Sequence, residues 1–118
     1  MYPGTDIIEI SRFAQACSRQ PRLLSRLFTG KELELVKTYN FSSLAARFAG
    51  KEAVLKTLGT GLRGLAWHDV EIFTNDLGEP IVYLSKRAQK IAELRGGCTV
   101  RVSLSHSRDN AIALAILE

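Results

Sequence analysis

The sequence predicts an α+β fold, and three observations carry that prediction. Residues 6–10 and 111–117 are runs of branched and small apolar residues near the two ends of the chain. Between them a helical pattern extends from Ser42 or Ser43 to Leu58 and stops at Gly59. Two further strand-like runs, 70–73 and 81–84, are joined through Asn75-Asp76-Leu77-Gly78-Glu79-Pro80, a turn-forming sequence. Strands gathered around a helix, rather than alternating with helices, define the α+β class.

Each element has a local reason. The first strand, Asp6-Ile7-Ile8-Glu9-Ile10, begins a few residues earlier than Asp6. A helical stretch follows and breaks at Gln20-Pro21, since proline has no N–H and bends its predecessor out of the helical region. Thr29-Gly30-Lys31-Glu32 sets a threonine cap three residues before a glutamate and opens a short helix to about Tyr39. Ser42 or Ser43 caps the main helix. Gly59-Thr60-Gly61-Leu62-Arg63-Gly64 is a flexible, cation-bearing loop whose amides either approach a ligand or simply turn the chain. Its spacing matches neither the Walker nor the dinucleotide pattern. Ser85 caps a further helix ending near Gly96-Gly97. Residues 99–105 alternate, with Val100, Val102 and Leu104 on one face. Arg108-Asp109-Asn110 turns into the final strand, which is apolar on both faces and therefore central or at an interface.

Size and composition narrow the function classes. A chain of 118 residues is one domain, residues 1–118, with room for a real core. Apolar residues make up 46% and charged residues 24%, which excludes a disordered or fibrous chain. The longest apolar run is too short to cross a bilayer, and the first residues lack a basic segment followed by an apolar one. Cys17 and Cys98 have neither metal-type spacing nor a disulfide framework to join, so a reducing, cytoplasmic setting is expected. The net charge of +4 is uneven: residues 1–64 carry ten Lys/Arg against five Asp/Glu. Between Glu9 and Lys31 the only charges are Arg12, Arg19, Arg22 and Arg26, and Arg22 and Arg26 share a face if residues after Pro21 are helical. Such a patch attracts an anionic partner, be it nucleic acid, a polyphosphate ligand or an acidic protein, or stays solvated.

The main helix carries a charge anomaly. At 100° per residue Leu44, Phe48 and Leu55 form an apolar stripe with Leu58 at its margin, and Glu52 falls on the same side. Lys51 and Lys56 flank Glu52. An ordinary Glu–Lys pair four residues apart would account for part of this and contribute roughly 0.3–0.5 kcal/mol. A carboxylate at the inner edge of an apolar stripe otherwise needs a partner or a chemical role. Asp6 beside Gly4 is unremarkable alone, but paired in space with Glu52 it would make the ligand set of a hard cation such as Mg²⁺. His106, in Ser105-His106-Ser107, ends a strand, where a side chain is held firmly yet exposed. Ser105, His106 and Asp109 do not make a hydrolase triad, because sequence neighbours point in different directions and no nucleophile elbow is present.

With these residues laid out, the chain resembles the holo-[acyl-carrier-protein] synthase family, the small 4′-phosphopantetheinyl transferases. The resemblance rests on Gly4-Thr5-Asp6-Ile7-Ile8-Glu9, on Arg47-Phe48-Ala49-Gly50-Lys51-Glu52-Ala53 with Lys56, on Gly59-Thr60-Gly61, on Asp69-Val70-Glu71-Ile72 and on Ser105-His106-Ser107. It covers essentially the whole chain, with five motifs in order. It implies a small antiparallel sheet packed against a long helix, and a homotrimer with active sites between subunits. It also implies the reaction: a serine hydroxyl of an apo acyl carrier protein attacks the phosphorus bearing the pantetheine arm of coenzyme A, and 3′,5′-ADP leaves. On this reading Asp6 and Glu52 hold Mg²⁺, and Lys56 meets the phosphate and stabilises or protonates the leaving group. Either Glu52 or a water on the metal accepts the serine proton. Arg47, Lys51, His106 and the loop of Gly59, Thr60 and Gly61 surround the nucleotide. Arg12, Arg22 and Arg26 dock the acidic carrier.

Four positions depart from the family pattern. Thr5 replaces an aliphatic residue, Pro3 a strand residue, Gly50 the second alanine of the signature, and Asn110 a common aromatic. Two other functions compete: a coenzyme A-binding homologue without turnover, and a basic nucleic-acid-binding domain. The intact set of Asp6, Glu52 and Lys56 weighs against the first, and the absence of a nucleic-acid motif against the second.

Overall fold

The computed structural model describes residues 1–36 and 40–118. The elements run β1 (Tyr2–Glu9), α1 (Ile10–Arg19), α2 (Leu23–Leu27), α3 (Gly30–Val36), α4 (Phe41–Leu58), β2 (Val70–Thr74), β3 (Pro80–Leu84), α5 (Lys86–Leu94), β4 (Val100–His106) and β5 (Asn110–Leu117). A single 3₁₀ turn, Trp67–Asp69, leads into β2. The predicted end of the third helix at Tyr39 lies outside the described residues.

Two antiparallel sheets form. One has the order β1-β5-β4 and the other is the β2-β3 hairpin. The final strand is the central one of its sheet, which explains its apolar character on both faces. Register places Ala113 between Asp6 and Leu104, and Ala111 between Ile8 and His106. Residues of this parity face α4, and on β5 they are Ala111, Ala113 and Ala115, all buried. Small residues there let the helix lie close to the sheet.

Local capping matches local sequence at most ends. Thr29 and Glu32 form the expected reciprocal pair: Glu32 N–H donates to Thr29 Oγ1 at 3.3 Å, and Thr29 N–H donates to Glu32 Oε1 at 2.9 Å. Ala88 N–H donates to Ser85 Oγ at 3.2 Å at the start of α5. The cap of α4 is a correction: neither Ser42 nor Ser43 supplies it. Asn40 does, its Oδ1 accepting from Ser43 N–H at 3.0 Å, because the helix starts a residue or two before the serines. Gly59 ends α4 in the left-handed region, with φ of 81°.

α4 is also more buried than a single apolar stripe implies. Leu44, Leu55 and Leu58 are buried as the periodicity predicts, but so are Ala45, Ala46, Ala49, Ala53 and Val54 around the rest of the helix. The helix is covered by the three-stranded sheet on one side and by β2, α1 and α5 on others, with α2 and α3 joining the packing at its N-terminal half. Two core clusters result, one under the C-terminal half of α4 and one at its N-terminal half with α1 and α2. In the second, Phe13 stacks on Phe48 at 5.6 Å between centroids, and Phe48 meets Trp67 at 5.1 Å. Gly50 fits this crowding, since a Cβ there would stand 2.8 Å from Ile72 Cδ1 and 2.9 Å from Leu104 Cδ2.

Candidate active site

Asp6 reaches α4 because the strand before it comes unusually close. A Cβ on Gly4 would lie 2.2 Å from the Ala53 carbonyl oxygen and 3.1 Å from Lys56 Cβ. Only glycine permits that approach. The result is a compact constellation on the edge of the helix. Lys56 Nζ donates to the Thr5 carbonyl at 2.7 Å and to Asp6 Oδ1 at 3.2 Å. Glu52, one turn before Lys56, lies against Asp6. Its carboxyl is pushed up to about 7 by burial, by hydrogen bonding to Asp6 and by the Asp6 charge, against which Lys56 pulls down. Asp6 and Glu52, 46 positions apart in the sequence, are thus brought together as the sequence reading required.

The pair tests well as a cation site. Asp6 Oδ2 is buried and has no hydrogen-bond partner among the described residues. An orphaned carboxylate oxygen beside a second, half-buried carboxyl is an arrangement that a proton or a cation completes. No group of three or more His, Cys, Asp or Glu that could enclose a metal occurs among the described residues. Two carboxylates without further protein ligands suit Mg²⁺, which retains waters and shares its remaining positions with substrate phosphates.

Two expected nucleotide-contacting residues require correction. Lys51 does not flank Glu52 in solvent; it is fully buried on another side of the helix. Its Nζ donates to Glu32 Oε1 at 2.5 Å, to the Leu27 carbonyl at 2.8 Å and to the Trp67 carbonyl at 3.2 Å. Burial lowers its proton affinity, while the charge and hydrogen bond of Glu32 oppose that shift. Arg47 is buried too, donating to the Ile72 carbonyl at 2.9 Å and to Thr74 Oγ1. Between them the two cations hold β2 and the α2–α3 segment to α4, with these hydrogen bonds spent inside the protein.

The remaining candidates lie on the surface. Gly59, Thr60 and Gly61 follow α4 directly, one turn beyond Lys56, and Arg95 packs over Gly59 while donating to the Thr57 carbonyl at 2.6 Å. His106 is exposed at the far end of β4, in the row of Ile8 and Ala111. That end of the sheet adjoins the N-terminal half of α4. At 1.5 Å per residue His106 and Gly59 therefore stand on the order of 15 Å apart along the helix axis. Arg12, Arg22 and Arg26 are exposed on α1 and at the start and end of α2. Arg12 also lines an open apolar groove of 420 Å³ shared with Ile8, Phe13, Leu23, Leu27 and Phe48.

Sequence reasoning overlooked Glu32 as more than a cap and Arg95 altogether. The capping-box pattern was the one available signal for Glu32. Nothing local pointed to Arg95.

Two paired carboxylates with an adjacent lysine form an arrangement suited to chemistry at a phosphate group, and comparison with known proteins supplies the class. The sequence model of the 4′-phosphopantetheinyl transferase superfamily matches residues 2–115. A holo-[acyl-carrier-protein] synthase of Moorella thermoacetica is 47% identical over 117 residues, covering 98% of this chain and 91% of that one. One from Clostridium novyi is 44% identical over 117 residues, covering 98% and 85%. Among solved structures, Helicobacter pylori holo-[acyl-carrier-protein] synthase in complex with coenzyme A superposes with a TM-score of 0.86 at 30% identity, covering 98% of this chain and 99% of that one. The Neisseria meningitidis enzyme gives 0.89 at 30% identity, covering 99% and 97%. The chain belongs to the holo-[acyl-carrier-protein] synthase family.

Proposed function

We infer that this protein transfers the 4′-phosphopantetheine group from coenzyme A to a serine of an apo acyl carrier protein. The observation that carries the reading is the Asp6–Glu52 pair with Lys56 at its edge. In the reaction the serine Oγ bonds to phosphorus, the phosphoanhydride bond to 3′,5′-ADP breaks, and the serine proton must leave. Glu52, which exchanges its proton near neutral pH, is the acceptor this chain offers. Lys56, more than half exposed, is placed to stabilise or protonate the departing phosphate oxygen. Asp6 and Glu52 would hold Mg²⁺, which when bound neutralises charge on the phosphate oxygens.

The other roles follow from placement. Gly59, Thr60, Gly61 and His106 are assigned to the nucleotide. Because His106 and Gly59 lie toward opposite ends of α4, one nucleotide meets both most simply across two protomers, which supports sites between subunits. The outer face of the β1-β5-β4 sheet supports a homotrimer. There Ile7 is 63% exposed, Ile112 48% and Leu114 44%, a contiguous apolar area by strand register. Leu114→Asp is expected to convert a trimer to monomers on size-exclusion chromatography with light scattering and to depress transfer with it. A variant that remained trimeric would move the interface off this face. Arg12, Arg22 and Arg26, with the apolar groove that Arg12 lines, are assigned to the acidic carrier. A cytoplasmic setting accords with the two unpaired thiols, and among the described residues no helix is long and apolar enough to cross a membrane.

The direct test incubates the protein with an apo acyl carrier protein, coenzyme A and Mg²⁺, and weighs the carrier by intact-mass spectrometry. Gain of one phosphopantetheine group, lost with EDTA, is the expected result. An unchanged carrier alongside measurable coenzyme A binding would favour a binding homologue without turnover.

A further inference from the structure

Lys51 and Glu32 form a junction that the transfer chemistry does not use. The Lys51 ammonium is fully buried and donates to three acceptors, on the last residue of α2, on α3 and on the 3₁₀ turn. Glu32, 1% exposed, accepts three hydrogen bonds from the described residues: from Lys51, from Thr29 N–H at 2.9 Å and from Ile72 N–H at 2.9 Å. The Phe28 ring lies 5.1 Å from Lys51 Nζ. One ammonium on α4 thus gathers residues 27–32 and the turn before β2, and through Glu32 it is joined to β2.

What that junction fixes is the docking arm. Arg22 and Arg26 flank or occupy α2, and α2 is only five residues long, too short to hold its own shape. Besides packing, α2 is fixed by the Leu27 carbonyl on Lys51 and by the Ser25 carbonyl 2.8 Å from His68 Nε2, a residue of the same 3₁₀ turn that Lys51 binds. At the other end of the chain of contacts, Lys51 immediately precedes Glu52. The backbone that sets the metal-pair carboxylate therefore also sets the arm that carries the arginines.

We propose that Lys51, neutralised by Glu32, is a positioning residue that fixes the carrier-docking arginines of α2 relative to the Asp6–Glu52 pair. The inference rests on the transferase reading above. It assigns Lys51 to presentation of the carrier serine and not to coenzyme A, in contrast to its sequence-predicted place at the nucleotide. Its effect is geometric: with the arginines displaced, the carrier meets fewer of its charge contacts at once, and binding of the carrier weakens while that of coenzyme A does not.

The test uses the full-length protein with Lys51→Met/Glu32→Gln, which removes both charges, alongside Lys51→Met alone. The double variant avoids leaving a buried carboxylate without its counterion. Two quantities are read: hydrogen–deuterium exchange along the chain, and KM for carrier against KM for coenzyme A. The expected result is faster exchange in residues 22–33 with β1, β5 and the C-terminal half of α4 unchanged. Carrier KM should rise roughly tenfold, while coenzyme A KM changes by less than about twofold. Unchanged exchange in the arm, or an equal rise in both KM values, would overturn the proposal. If even the double variant fails to fold, Lys51→Met/Glu32→Leu is read the same way. A wild-type chain that transfers nothing, with the arm still loosened in the variant, would sink the transferase reading while supporting the anchoring of the arm.

Discussion

Glu52→Gln is expected to lower phosphopantetheine transfer by roughly 10²–10³-fold, the size of effect that loss of charge stabilisation at a reacting centre produces. The same substitution should make the metal-free protein more stable at neutral and alkaline pH. In the folded chain Glu52 holds its proton up to about 7, whereas an unconstrained glutamic acid releases it near 4.5. Between those values the folded state binds more protons than the unfolded one, so stability falls as pH rises, and the whole cost stands above 7. Solvent reaches the pair, and with that discount about 1 kcal/mol is recovered by glutamine, or roughly 3–6 °C in melting temperature. Thermal melts at pH 5 and pH 8 check it: the variant should gain at pH 8 and little at pH 5. Mg²⁺ should raise the melting temperature of the wild type at pH 8 and leave that of the variant nearly unmoved. A destabilised variant at pH 8 would mean that Glu52 is held by a favourable contact instead of a repulsive one.

Gly4→Ala should be as damaging from outside the chemistry. The added methyl meets the Ala53 carbonyl oxygen at 2.2 Å, and neither partner is a side-chain end that can swing aside. Relief requires β1 to move off α4 against its pairing with β5. Overpacking of this kind costs about 1–3 kcal/mol, and the backbone collision places this substitution at the upper end. The displaced strand takes Asp6 with it, so activity should drop by more than the folded fraction does. Urea denaturation gives the stability change, and transfer by the folded protein in Mg²⁺ gives the rest. Wild-type activity in a stably folded Gly4→Ala protein would show that the close approach does not set the carboxylate pair.

Much of this was legible in the sequence, for reasons that are local. Thr29 and Glu32, Ser85 and Gly59 announced their helix ends through side-chain or backbone chemistry acting within four residues. Glu52 stood out because a charge on an apolar face violates the helical period. Helical periodicity gave no sign that Lys51 and Arg47 are buried. It assumes that a helix buries one face, and α4 is enclosed by a sheet, a hairpin and three short helices. Their partners, Glu32 for Lys51 and the Ile72 carbonyl for Arg47, lie 19 and 25 residues away. No spacing rule reaches that far, and the capping role of Glu32 masked the second task of the same carboxylate. Asn40 was missed for a smaller reason: helix starts shift by a residue or two among adjacent candidates.

The alanine row of β5 and the glycine of β1 have a mechanical consequence. Where Gly4 meets α4 the strand lies against the helix backbone, and beside it Ala111, Ala113 and Ala115 interpose only buried methyl groups, a packing that compresses very little. Residues 22–33 are joined to the same helix through aromatic rings and the hydrogen-bonded Lys51 ammonium, so their placement is held by side-chain contacts instead. Hydrostatic pressure or a change of temperature should therefore leave the carboxylate separation almost constant, and removing the Lys51 anchor should be what lets the arginines shift. On the proposed roles, one helix carries two kinds of anchor, close backbone packing for the carboxylates and a buried side-chain junction for the arginines, divided at the bond between Lys51 and Glu52.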